Sequence, residues 1–344
     1  MKKTLLLAGV AVMFATGSAQ AATKGLELGI EGYASMYGIY AGQDEKRSEF
    51  GLRKEIQLDF TGEVTLDNGA KIGATISSAE NDSSDNEETR RSFIYAETGM
   101  GKLIVGKEYN AAYLMQVTAP AVDAELDGMD PTYNVVETGT NLITDASYDM
   151  SFQHTDNQPD GDKITYITPI MSGLQLGASY TPDVDEDAET GGFSTQAARG
   201  NSAMALAARY AVDMGSSELT LGAGWNKEDN FRQQYNMAAN LDLGAIDLGL
   251  GYLVEEADDA TTDHDMSALT AGASYENGAY RYAVSYLYKE SADDDLSRYM
   301  TGVNYTYGPG MTLNGSIAYN SYESDNGNTE NDATVVALGT VINF

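Results

Sequence analysis

Leu174-Gln175-Leu176-Gly177-Ala178-Ser179-Tyr180 places an apolar side chain at every second residue and closes on an aromatic. The rhythm returns in Leu219, Leu221, Ala223, Trp225, in Ile246, Leu248, Leu250, Tyr252, and in Leu269, Ala271, Ala273, Tyr275. The residues between them are small or polar, as in Asp247, Gly249 and Gly251. Side chains alternate faces along a strand, so one face of each run meets something apolar and the other meets water. An aromatic at the end of the apolar band fits a ring seated at a membrane interface. The pattern reads as all-β: an antiparallel transmembrane β-barrel with a wet interior.

Outward from these runs, alternation broken by Gly, Pro, Asn and Asp clusters gives sixteen strands, from 25–41 to 332–344. The fourth is expected at 90–97, the fifth at 102–108, the sixth at 162–169 and the fourteenth at 297–308. An even number suits a bacterial outer-membrane barrel. Connection lengths support the count. Asp67-Asn68-Gly69, Gly99-Met100-Gly101, Met214–Ser216, Glu276-Asn277-Gly278 and Gly308-Pro309-Gly310 are tight turns. Asn-Gly and Gly-rich pairs supply the positive φ that two-residue hairpins need. The connections 81–89, 183–200, 258–264, 291–296 and 325–331 are longer and acidic. Short turns on one side and long loops on the other are the arrangement expected of such barrels.

The first 21 residues read as a secretory signal peptide, with Lys2 and Lys3, an apolar stretch from Leu5 to Ala15, and the small-residue site Ala19-Gln20-Ala21. The barrel is then expected over 22–344. No later run approaches the ~18 uninterrupted apolar residues of a spanning helix. Cysteine is absent, and 52 acidic against 20 basic residues give a net charge of −32. That balance speaks against nucleic acid as a partner. Removal of the leader's two lysines, with no acid lost, leaves −34.

Ser48-Glu49-Phe50-Gly51-Leu52-Arg53 and the run to Gly69, then Gly101-Lys102-Leu103-Ile104-Val105-Gly106-Lys107, then Lys163-Ile164-Thr165-Tyr166-Ile167-Thr168-Pro169, resemble the second, fifth and sixth strands of the sixteen-strand general-diffusion porins of Gram-negative outer membranes. The resemblance implies a homotrimer of water-filled channels passing small hydrophilic solutes. It also implies a long third loop, here 109–161, folded inward to constrict the pore. Carried onto this chain, Asp123, Glu125, Asp127 and Asp130 become the acidic side of the constriction. Such carboxylates would attract cations, because low-dielectric walls focus their field.

The family's opposing wall is basic. Parity sends Leu52, Ile56, Leu58 and Phe60 to lipid, which leaves Glu49, Arg53, Glu55, Gln57 and Asp59 facing the lumen. Arg53 is therefore a candidate for the basic wall, with Arg90, Arg91 and Lys163. If Phe93 and Tyr95 face lipid, only Arg90 of the arginine pair points inward. Glu49 departs from the family, which commonly carries Arg in that position, and weakens the basic wall. The terminal run Val336, Leu338, Thr340, Ile342, Phe344 resembles the assembly signal of outer-membrane barrels, with Phe344 as its final aromatic.

Other chemistry finds little support. His154 and His264 are the only imidazoles, and Asp263-His264-Asp265 sits alone in an acidic loop. Asp183, Asp185 and Asp187 open like a calcium loop, but Ala188 and Ser194 stand where Gly and Glu are required. With no phosphate loop, nucleophile elbow or zinc motif, no catalytic residue, cofactor or resident metal is expected. Outer-membrane lipid and lipopolysaccharide are expected neighbours, the latter bridged through divalent cations by the acidic loops. The competing functions are a substrate-specific channel, an outer-membrane barrel enzyme and a soluble secreted β-protein. The first would need an aromatic track through the lumen, the second a histidine constellation at the rim.

Overall fold

The structure, a computed structural model, describes residues 25–43, 49–81, 88–121, 161–184, 201–257, 265–291, 294–324 and 329–344. Sixteen strands follow in order: β1 (Glu27–Gln43), β2 (Phe50–Thr65), β3 (Lys71–Asn81), β4 (Glu88–Thr98), β5 (Gly101–Lys107), β6 (Lys163–Ile167), β7 (Leu174–Thr181) and β8 (Ala203–Asp213). The second half comprises β9 (Glu218–Glu228), β10 (Arg232–Asp242), β11 (Ile246–Ala257), β12 (Met266–Asn277), β13 (Tyr280–Ser291), β14 (Asp294–Gly308), β15 (Met311–Ser324) and β16 (Thr329–Asn343). Among the described residues a helical turn, α1 (Ala111–Leu114), follows β5. Each strand pairs antiparallel with its neighbours in sequence, and β16 returns to β1, so the sheet is a closed barrel.

Closure removes the two open edges that hydrocarbon cannot satisfy. It runs from Tyr33↔Asn343 to Gln43↔Ala333. It then continues one residue further: the Gly32 amide donates to the Phe344 carbonyl at 2.9 Å, and the Phe344 amide donates to the Gly32 carbonyl at 3.0 Å. The last residue of the chain thus completes the seam.

Alternation sorts the faces as the sequence implies. In β11, Leu248, Leu250 and Tyr252 are exposed on the outside, whereas Leu253 and Glu255 are buried on the inside. The turns at one end are short and glycine-dependent: Ser172 and Gly173 have φ of 53° and 88°, the pair of positive values that a tight hairpin needs.

The strand count agrees with the sequence reading, and several boundaries move. β14 begins at Asp294 rather than 297, β16 at Thr329 rather than 332, and β6 contracts to five residues. Two connections at the end of the longer loops are short: β9 to β10 is a three-residue turn, Asp229–Phe231, in which Asn230 takes a φ of 61°, and the connection expected over 291–296 shrinks to residues 292–293 because β14 starts early. Nor is the inner face polar throughout. Tyr37, Ile39, Met300, Ala318, Val335 and Ala337 form a buried apolar cluster on the inward side of β1 and β14–β16.

Candidate functional site: the inner wall and its lining loop

Strands β2 to β5 carry a ladder of paired charges. Arg90 Nη1 lies 3.1 Å from Glu55 Oε1, and that carboxylate is 2% exposed. Arg91 Nη2 lies 2.9 Å from Asp59 Oδ2, and its Nη1 lies 3.6 Å from Glu108 Oε1. Gln57 Nε2 donates to Asp59 Oδ1 at 3.2 Å. Lower on the same wall, Lys71 Nζ stands 3.1 Å from Glu63, whose other oxygen accepts from Tyr95 Oη at 2.6 Å. The Lys102 ammonium sits 4.7 Å above the Tyr95 ring.

Both arginines therefore point inward, and the condition under which only Arg90 would do so, Tyr95 facing lipid, is not met. Tyr95 faces the lumen side and is 9% exposed, while Ile94, 59% exposed, faces lipid. Arg91 shares the parity of Tyr95. Arg90 joins it because the pairing slips between Ser77 and Ser78, where Ser77 opposes Arg91 and Ser78 opposes Thr89. That bulge gives β4 one extra residue and turns two successive side chains to one face.

Lys163, 3% exposed, donates from Nζ to the Gly161 carbonyl at 2.7 Å. Arg53 is half-buried in β2, and Glu49 is exposed just ahead of that strand. Glu108 lies past the end of β5, and burial pushes its carboxyl above the ordinary glutamate value. Arg91, the Tyr109 amide and Lys163 oppose that shift without cancelling it. Asp123, Glu125, Asp127 and Asp130 lie outside the described residues, as do His154 and His264.

From Glu108 to Ala121 the chain enters the barrel and runs along the inside of β6 to β13. Asn110 caps α1, its Oδ1 accepting the Tyr113 amide at 3.0 Å, and the Ala111 amide donates to Ser179 Oγ at 2.7 Å. Ala111 and Met115 pack on Ala207 of β8, with Ile167 of β6 beside them. A Cβ at Gly222 would lie 2.7 Å from Val117 Cγ2, and one at Gly224 3.2 Å from Ala112 Cβ. At Gly249 it would lie 2.8 Å from Ala119 Cα, and at Gly272 2.9 Å from the Pro120 carbonyl carbon. These wall positions accept the loop because they carry no side chain. The buried side of the loop is Ala111, Ala112, Met115, Val117 and Ala119, whereas Tyr113, Leu114, Gln116 and Thr118 are more open. Tyr113 stacks on Tyr109 at 4.1 Å between centroids, and the Arg91 guanidinium lies 5.8 Å from the Tyr109 ring.

At the end of the barrel with the short turns, four neighbouring strands each contribute an acid to the inward parity. Asp213 opposes Glu218, Glu218 opposes Asp242, and Asp242 opposes Asp247. Asp213 and Asp242 also cap their turns, accepting the Gly215 amide at 2.7 Å and the Gly244 amide at 2.6 Å. Thr220 donates to Glu218 at 3.3 Å and Ser274 to Asp247 at 3.2 Å. Like charges set directly opposite each other destabilise a sheet. The sequence reading missed this row, although the recurrence of one acid at each turn was available as a signal.

A profile of the Gram-negative porin family matches residues 8–326, nearly the whole chain. The chain is a member of that family. Porin membership and the sixteen-strand barrel place it in the outer membrane. Among solved structures, a multi-site mutant of the porin of Rhodopseudomonas blastica is similar at 16% identity with a TM-score of 0.63, covering 92% of this chain and 100% of that one. Another mutant of the same porin gives a TM-score of 0.62 at 16% identity over the same shares. An uncharacterized protein of Rickettsia typhi is 27% identical over 225 residues, 56% of this chain and 50% of that protein. One of Rickettsia conorii is 28% identical over 226 residues, with the same shares. The chain thus spans about half the length of the curated relatives it matches.

Proposed function

We propose that this porin is a water-filled channel through which small hydrophilic solutes and ions diffuse passively, with a preference for cations. The observation that carries the reading is the uneven pairing of charge on the inner wall. Arg90 and Arg91 are each engaged by wall carboxylates, whereas Asp213, Glu218, Asp242 and Asp247 stand beside one another at the mouth. Their summed field, together with a net charge of −32, enriches cations at that entrance. Function needs no reacting group: it depends on pore width and field. A sugar-specific channel is less well supported, because Tyr37, Tyr95 and Tyr322 are buried in the wall and the stacked pair Tyr109 and Tyr113 on the loop does not make an aromatic track.

Asp123, Glu125, Asp127 and Asp130 are proposed to add to this field within the third loop. Replacing them together by Asn and Gln is expected to move the reversal potential under a salt gradient toward zero. A quadruple variant that behaves like the native channel would place these acids outside the constriction.

The assembly is proposed to be a homotrimer in contact with lipid and with lipopolysaccharide bridged by divalent cations. Native mass measurement in mild detergent is expected to give three chains per particle, and a monomer would contradict it.

A further inference from the structure

We propose that Arg281 is a positioning residue that holds the channel open by clamping the Thr118–Ala121 stretch of the lining loop to the wall; the proposal rests on the channel reading above. Arg281 begins β13, and its Nη1 donates to the Ala121 carbonyl at 2.6 Å, across 160 residues of sequence. The upper end of the loop is secured several times over, by the Asn110 cap, by Ser179 on the Ala111 amide and by Arg91 on Glu108. The stretch Thr118–Ala121 is held differently. It packs on Gly249 through the Pro120 ring and Ala119 and on Gly272 through the Pro120 main chain, with no backbone hydrogen bond to the wall among the described residues. Among the described residues two side chains reach it: Asn240, whose Nδ2 lies 3.4 Å from the Thr118 carbonyl, and Arg281. The first bond is long and neutral, the second short and charge-assisted, so Arg281 contributes most of the hold.

The direction of failure follows from geometry. Behind Ala119 and Pro120 stands the sheet at Gly249 and Gly272, so displacement of this stretch away from the wall carries it toward the lumen. A bond to a charged group shifts a local equilibrium by roughly ten- to a hundred-fold. Losing it therefore allows Thr118–Ala121 to spend time in the water path, and the channel narrows and flickers.

The test uses full-length protein in liposomes, read by swelling rates with neutral sugars of increasing size, so that loss of a lumenal charge does not itself alter the readout. R281M is expected to slow swelling, most for the largest sugars, and to raise open-channel noise in a planar bilayer. R281K, which keeps a charged donor, is expected to restore native rates. Heat stability of the barrel should stay native in both. If R281M fails to assemble, R281Q serves, since its shorter amide stops short of Ala121 yet keeps a polar group at the strand start. Native swelling in R281M or R281Q, or swelling faster than native, overturns the clamp. No swelling by the unaltered protein overturns the channel reading itself, and the clamp with it.

Discussion

Deleting Phe344 is expected to remove most of the assembled barrel from the outer membrane while export across the inner membrane continues. The seam ends in two backbone hydrogen bonds between Phe344 and Gly32, at 2.9 and 3.0 Å. Without the last residue, the Gly32 amide and carbonyl lose their partners at the only place where the sheet joins itself out of sequence order. A buried polar group left unpaired costs about 1–3 kcal/mol, and more in hydrocarbon. The deletion also removes an outward aromatic that is 56% exposed to the membrane side. Two such losses are large beside a typical net folding stability of ~5–15 kcal/mol. The readout is the yield of heat-modifiable, protease-resistant protein in the outer membrane, with periplasmic fragments showing that export is intact. Native yield from the truncated chain would show that β1 and β16 close on their internal register alone.

Neutralising the acidic row is expected to weaken cation preference and strengthen the barrel at once. In the variant with Asp213→Asn, Glu218→Gln, Asp242→Asn and Asp247→Asn, three opposed like-charge pairs disappear. Each such pair costs the sheet roughly 0.2–1 kcal/mol, so unfolding in denaturant should shift to higher concentration. Asn retains the oxygen that caps the turns at Gly215 and Gly244, so turn geometry is preserved. The field at the mouth falls by four charges, and the cation-to-anion permeability ratio should fall roughly several-fold at low salt. The Debye length is about 30 Å at 0.01 M and 10 Å at 0.1 M, so the difference between variant and native should shrink as salt rises. A variant that loses stability and keeps its selectivity would assign the row to folding instead.

Much of this molecule is legible in the sequence because a barrel wall is a local pattern. Leu248, Leu250 and Tyr252 declare their face within five residues, and no distant information is needed to place them outside. Arg53 and Glu55 follow from the same parity. Where the pattern is interrupted, the reading fails for identifiable reasons. In β4 the aromatics Phe93 and Tyr95 leave the facing of Arg91 open, and Tyr95 turns inward, where its hydroxyl donates to Glu63. The extra residue at the Ser77/Ser78 slip then breaks strict alternation at Arg90 and Arg91, and a bulge leaves no mark in residue type.

The lining loop was harder still. Gly222, Gly224, Gly249 and Gly272 look like any small lumenal residue until Ala112, Val117 and Pro120 are seen resting on them. Those partners lie more than a hundred residues away, and glycine specifies no particular partner. Arg281 was invisible for a related reason: it binds a main-chain carbonyl, which every residue has. The reading placed the functional weight of the loop on its acids, whereas the described part, Glu108–Ala121, is mostly apolar and acts by where it lies.

The reversal potential of the native protein in a planar bilayer under a salt gradient, at low ionic strength, tests the cation-preferring channel most directly. Discrete, long-lived conductance steps are expected, with a potential of the sign that cation preference requires, declining as salt is raised. Steps with the opposite sign, or no steps from correctly assembled protein, would contradict this reading.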